Sequence, residues 1–132
     1  MRNISKIIVH CSATPAGREV SVEDITAWHK ARGFTTIGYH FVIGLDGSRH
    51  QGRPLNHKGA HCLNHNSDSI GICYVGGLAK DGKTPMDTRT PQQKTALVNL
   101  LKESKRQFPK AKIYGHCDFA AKACPCFNAK SQ

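Results

Sequence analysis

The sequence has no long apolar run. The apolar stretch Ile7–Val9 near the N-terminus is far shorter than the ~20 residues of a membrane-spanning helix or the ~7–15 residues of a secretory signal core. Synthesis in the cytoplasm without a signal peptide is therefore expected, with no membrane partner. Aromatic residues are sparse, at 7%, and none is interleaved with basic residues as a base-stacking platform requires. Nucleic-acid binding is therefore not expected. Acidic residues are also few, 9 against 19 lysines and arginines, for a formal net charge of +10. Such a surface draws polyanions and carboxylate-bearing polymers, although charge alone does not choose among them. There is no repeat, no low-complexity tract and no linker, so residues 1–132 are read as one domain. A chain of this length buries a core without the help of a metal or a disulfide. A metal, if present, would serve chemistry.

The pattern that is present alternates strands and helices. Ile4–His10 alternates and is β-branched, which predicts a strand with Ile8 and His10 on one face. Ser21 and Asp24 predict a capped helix start, with Ile25 and Trp28 as its apolar stripe and Gly33 as its end. A strand from Gly38 turns at Asp46-Gly47 and returns over Ser48–Gly52. Residues 53–69 read as irregular. Ile70–Val75 is nearly all apolar, as a central strand covered on both faces should be. Thr90-Pro91 opens a second helix whose buried face carries Leu97, Leu100, Leu101, Ser104 and Phe108. Lys112–Tyr114 is a last strand, and residues 116–127 form a loop. The expectation is a single α/β domain, a central mixed β-sheet flanked by helices.

Six cysteines without a secretory signal do not suggest a disulfide framework. Three residues instead share metal-ligand chemistry at element ends: His10 closing the first strand, His116 after the last, and Cys124 eight residues on. Zinc accepts imidazole and thiolate together, and three protein ligands leave the fourth tetrahedral position open for water, as in catalytic sites. The spacing alone does not distinguish this from two hydrogen-bonded histidines and a buried cysteine.

Four segments add to that reading: 10–14 (HCSAT), 38–43 (GYHFVI), 66–73 (NSDSIGIC) and 115–125 (GHCDFAAKACP). Together they resemble, in order, the type 2 N-acetylmuramoyl-L-alanine amidases, a family that includes small phage lysins and animal peptidoglycan recognition proteins. The resemblance implies a zinc site of His10, His116 and Cys124 at one edge of the sheet. It implies Tyr39 and Lys122 as catalytic residues, and His61 and Asn66 as substrate contacts in a groove. The implied activity is zinc-dependent cleavage of the amide between N-acetylmuramic acid and L-alanine in peptidoglycan; the alternative is a non-catalytic peptidoglycan-binding module. Members of that second kind typically lack the cysteine ligand, which is present here. The chain would act on the cell wall after release, as a monomer and without a separate wall-binding domain. His40 should pack inward, opposite to Tyr39. Cys117 and Cys126 depart from the family's usual arginine and glycine, and a disulfide between them is left open by the sequence.

Overall fold

The computed structural model describes residues 2–131. The β-branched run forms β1 (Lys6–Cys11), and Ile7, Ile8 and Val9 are fully buried. Strand β5 (Ser69–Tyr74) is buried at every position, as its unbroken apolar character predicts. The two pair in parallel, with Ile7 opposite Ile70 and His10 opposite Cys73. Strand β7 (Lys112–Gly115) pairs in parallel with the other side of β1. Strand β3 (Phe41–Ile43) lies parallel to β5 and forms an antiparallel hairpin with β4 (Arg49–Gln51). The sheet order is β4-β3-β5-β1-β7, so the expected single-domain mixed α/β sheet is the one found.

Two layers cover the sheet. Helix α1 (Val22–Ala31) starts at a capping box between Ser21 and Asp24. Its Ile25 packs with Val20, Ile37, Val42 and Val75 on one face. Helix α2 (Pro91–Gln107) starts at a second capping box between Thr90 and Gln93. Its Leu97, Leu100 and Leu101 pack on the other face, against Ile7, Val9 and Ile72. Alternation along β1 thus sends Ile7 and Val9 toward α2, leaving Ile8 and His10 facing the α1 side. No helix among the described residues is long and apolar enough to cross a membrane.

Two local features differ from the sequence expectation. Trp28 does not belong to the buried stripe of α1; it is 39% exposed, and His29 is buried in its place. Ile25 and His29 are one helical turn apart at i, i+4, and a histidine can go inside because Nδ1 accepts the Gly38 amide at 2.8 Å. The second feature is a two-stranded parallel sheet of β2 (Thr14–Pro15) and β6 (Gly77–Leu78). Strands of two residues leave no periodicity to read.

Gln93 ties α2 to the sheet. It is fully buried. Its Oε1 accepts the Thr90 amide, and its Nε2 donates to Val75 O at 2.9 Å and Ile43 O at 3.4 Å. Gln93→Leu would leave buried carbonyls and a helix-end amide without partners, at a cost of about 1–3 kcal/mol for each group orphaned. Urea unfolding should show a lower midpoint for this variant with an unchanged slope; an unchanged midpoint would contradict the role assigned to Gln93.

Candidate metal centre

The metal-ligand candidates meet because of strand register. Val9 lies opposite Gly115 in the parallel β1–β7 pair, so the next residues, His10 and His116, emerge side by side. Their ring centroids are 4.6 Å apart. Cys124 arrives from the loop after β7. The loop is held by a backbone bond from the Cys117 amide to Cys124 O at 2.7 Å. It is also held by the Tyr74 hydroxyl of β5, which donates to Pro125 O at 2.6 Å. Further along, the Arg89 guanidinium stacks over the Phe127 ring at 3.4 Å.

One donor atom from each of His10, His116 and Cys124 lies within 4.8 Å of the other two. Tetrahedral ligands at about 2.0–2.3 Å from zinc stand roughly 3.3–3.8 Å from one another, so these atoms are gathered on the scale of a single ion. Burial lowers the pKa of His10 well below its usual value, helped by neighbouring His61 and His116, and burial also lowers that of His116. Both imidazoles are therefore neutral and have lone pairs to offer at neutral pH. The Cys11 amide donates to Cys124 Sγ at 3.2 Å, which holds the sulfur in place beside the two imidazoles. The donor set and its surroundings fit a divalent zinc-type ion.

The groove over this site is lined by Trp28 of α1, Arg32 just after that helix, Tyr39, Leu63, Phe119 and Lys122. The Tyr39 ring lies 5.1 Å from that of His10. Burial pushes the Tyr39 phenol well above its ordinary value, and the adjacent Cys73 pushes it the same way. The phenol therefore keeps its proton at neutral pH. Lys122 is exposed and close enough to His10 and His116 to repel protons from both. Among the described residues, no aspartate or glutamate lines the groove.

The other histidines divide by burial. His61 borders the groove but is only 8% exposed. Its Nδ1 bonds to His10 Nε2 at 2.8 Å and its Nε2 to Ser69 Oγ at 3.1 Å, so both nitrogens have partners within the protein. Asn66 also borders the groove, and its Oδ1 accepts the His61 and Cys62 amides, which closes the loop around His61. His40 is fully buried, as expected from its strand position, and its Nδ1 accepts the Gly71 amide. His57 is exposed, and the His65 ring stacks on Phe119 at 4.1 Å. Cys117 and Cys126 are both free thiols; Cys117 is exposed, while Cys126 Sγ donates to Gly77 O at 3.2 Å. Sequence reasoning misses His29, which lines the groove from α1; the i+4 relation to Ile25 is the one signal that points to it.

Residues 1–127 match the family model described as N-acetylmuramoyl-L-alanine amidase. The chain is 45% identical over 124 residues to the endolysin of Enterobacteria phage K11, covering 94% of this chain and 82% of that one. It is 32% identical over 124 residues to a peptidoglycan-recognition protein of Drosophila melanogaster, covering 90% of this chain and 66% of that protein. The fold is similar to that of the N-acetylmuramoyl-L-alanine amidase LysC from Clostridium intestinale, with a TM-score of 0.83 and 30% identity over 96% of this chain and 79% of that one.

The buried histidines make stability depend on pH. Burial lowers His29 and His40 to about 4 and His61 to about 3. A folded-state value below the unfolded value of about 6.5 means that unfolding takes up protons. The contribution to stability is complete above about pH 6.5, shrinks as the pH falls toward the folded-state values, and is lost below them. Each unit of displacement is worth about 1.4 kcal/mol. Urea midpoints of the metal-free protein should fall between about pH 6.5 and 5, where most carboxylates remain ionised; a flat profile over that interval would contradict the burial of these rings.

Proposed function

The chain belongs to the N-acetylmuramoyl-L-alanine amidase family, and from that premise we propose that it hydrolyses the bond joining N-acetylmuramic acid to L-alanine in peptidoglycan, using zinc held by His10, His116 and Cys124. The observation that carries this reading is the convergence of the two imidazoles and the thiolate within 4.8 Å, with His116 and Cys124 lining an open groove and His10 buried behind them. Zinc bound there supplies Lewis acidity, which makes water a competent nucleophile at neutral pH and polarises a carbonyl.

This chain's own residues do the rest. The groove seats the glycopeptide so that the scissile carbonyl lies over the three ligands. Lys122 brings its ammonium to this point and stabilises the negative charge that develops on the carbonyl oxygen as the tetrahedral state forms. Tyr39, kept protonated by burial, donates a hydrogen bond that orients the reacting oxygen. The formal charge of +10 favours encounter with a wall polymer that carries free carboxylates. The similarity to a peptidoglycan-recognition protein supports the same polymer as ligand and motivates a second reading, a binding module without catalysis. The intact ligand set favours the enzyme, because binding alone has no need of an open metal corner.

Dye release from labelled peptidoglycan, with mass spectrometry of the fragments, tests the proposal. Activity should disappear on chelation and return with added zinc, and the products should separate at the lactyl–alanine amide. Cys124→Ala should lose activity while keeping the unfolding midpoint of the metal-free protein. Lys122→Met should lower kcat by about a hundredfold or more with little change in KM. Full activity in Cys124→Ala, or after exhaustive chelation, would overturn the zinc mechanism; binding to peptidoglycan with no turnover under any condition would favour the second reading.

A further inference from the structure

We propose that His61 is a positioning residue for the metal ligand His10, fixing the tautomer and ring orientation that metal binding requires through a buried chain ending at Ser69. The proposal rests on the metal-centre reading and assigns His61 a function other than substrate contact.

Proton placement decides the polarity of this chain. His10 Nε2 is 2.8 Å from His61 Nδ1, and His61 Nε2 is 3.1 Å from Ser69 Oγ. His10, His61 and Ser69 are all buried, with Ser69 at 0% exposure. With Nε2 engaged by His61, the nitrogen left to His10 for a metal is Nδ1. A ligating Nδ1 must offer a lone pair, so the His10 proton sits on Nε2 and is donated to His61 Nδ1. His61 then carries its own proton on Nε2 and donates it to Ser69 Oγ. In the opposite polarity Ser69 would donate to His61 and His61 to His10, which would put a proton on His10 Nδ1 and block the ligand position. Metal binding therefore selects one direction along the chain, and the chain in turn favours metal binding. A ligating histidine whose second nitrogen is held by a buried acceptor is oriented and made more basic toward the ion.

The site is shaped to hold the His61 ring in this pose. A Cβ on Gly59 would fall 2.5 Å from the ring's Cδ2, and one on Gly71 would fall 2.6 Å from Cγ and Cδ2. Two glycines thus make room for the imidazole where any side chain would displace it. The His61 amide is itself held by Asn66 Oδ1 at 2.9 Å. The His61 and His10 rings meet edge to face, with centroids 4.9 Å apart.

The test measures zinc affinity of the purified full chain by competition with a chromophoric chelator, alongside urea unfolding of the metal-free protein. His61→Leu removes the acceptor and should weaken zinc binding by about 10- to 100-fold. His61→Asn places an amide oxygen near the position of Nδ1 and should recover most of the affinity. Ser69→Ala, a smaller change that removes only the far acceptor, should weaken binding less than His61→Leu does. Unchanged zinc affinity in His61→Leu, with affinity lost in Cys124→Ala, would overturn this proposal alone. Equal weakening in the Leu and Asn variants would also overturn it, since packing rather than acceptance would then be responsible. Failure of the unsubstituted protein to bind zinc would remove the metal centre and this proposal together.

Discussion

The parallel register of β1 against β7 is the constraint on which the rest depends. Val9 opposite Gly115 brings two histidines, separated by more than a hundred residues of chain, to adjacent places at one end of the sheet. A slip of one residue would turn His10 to the α2 face and bury an imidazole among aliphatic side chains. The apolar alternation of β1 prevents this, because Ile7 and Val9 are needed against Leu97, Leu100 and Leu101. Fold stability and ligand placement are thus two consequences of the same hydrophobic pattern.

Below that register lies a polar layer that is mostly histidine. His10, His29, His40 and His61 are all buried, and His29, His40 and His61 engage backbone amides, a carbonyl or a neighbouring side chain. No side-chain nitrogen or oxygen among the described buried residues is left without a partner. Burial keeps these rings neutral, and a neutral imidazole beside a metal ligand adds no repulsion toward a cation. The same burial opposes protonation, so the layer that suits metal binding also commits the protein to conditions near neutrality. The ligand loop is secured separately, from the opposite side of the sheet, by the Tyr74 hydroxyl on Pro125 O. Two independent supports thus hold the two halves of the centre.

Much of this is legible in the sequence, for identifiable reasons. The unbroken apolar run of β5, the alternation of β1 and the two capping boxes each record a local physical requirement, and the elements form where those signals stand. The family segments single out His10, His116 and Cys124 as candidate ligands because affinity for a metal follows residue type, and their side chains do converge. What escapes is written only in three dimensions. Trp28 has the chemistry of a core residue, but the helix turns His29 inward because a backbone amide at Gly38 is there to meet it. His61 reads as a groove residue because its neighbours do line the groove. Its engagement with His10 and Ser69 depends on the space at Gly59 and Gly71, which no spacing rule anticipates. The β2–β6 pair is too short for any pattern to reveal.

The central claim, that two imidazoles and one thiolate share one ion, is tested most directly by X-ray absorption at the zinc edge on the metal-loaded protein. The account predicts one sulfur at about 2.3 Å and two imidazole nitrogens at about 2.0–2.1 Å, with a lighter oxygen scatterer completing four-coordination. A spectrum with no sulfur contribution, or with four imidazole nitrogens, would contradict it.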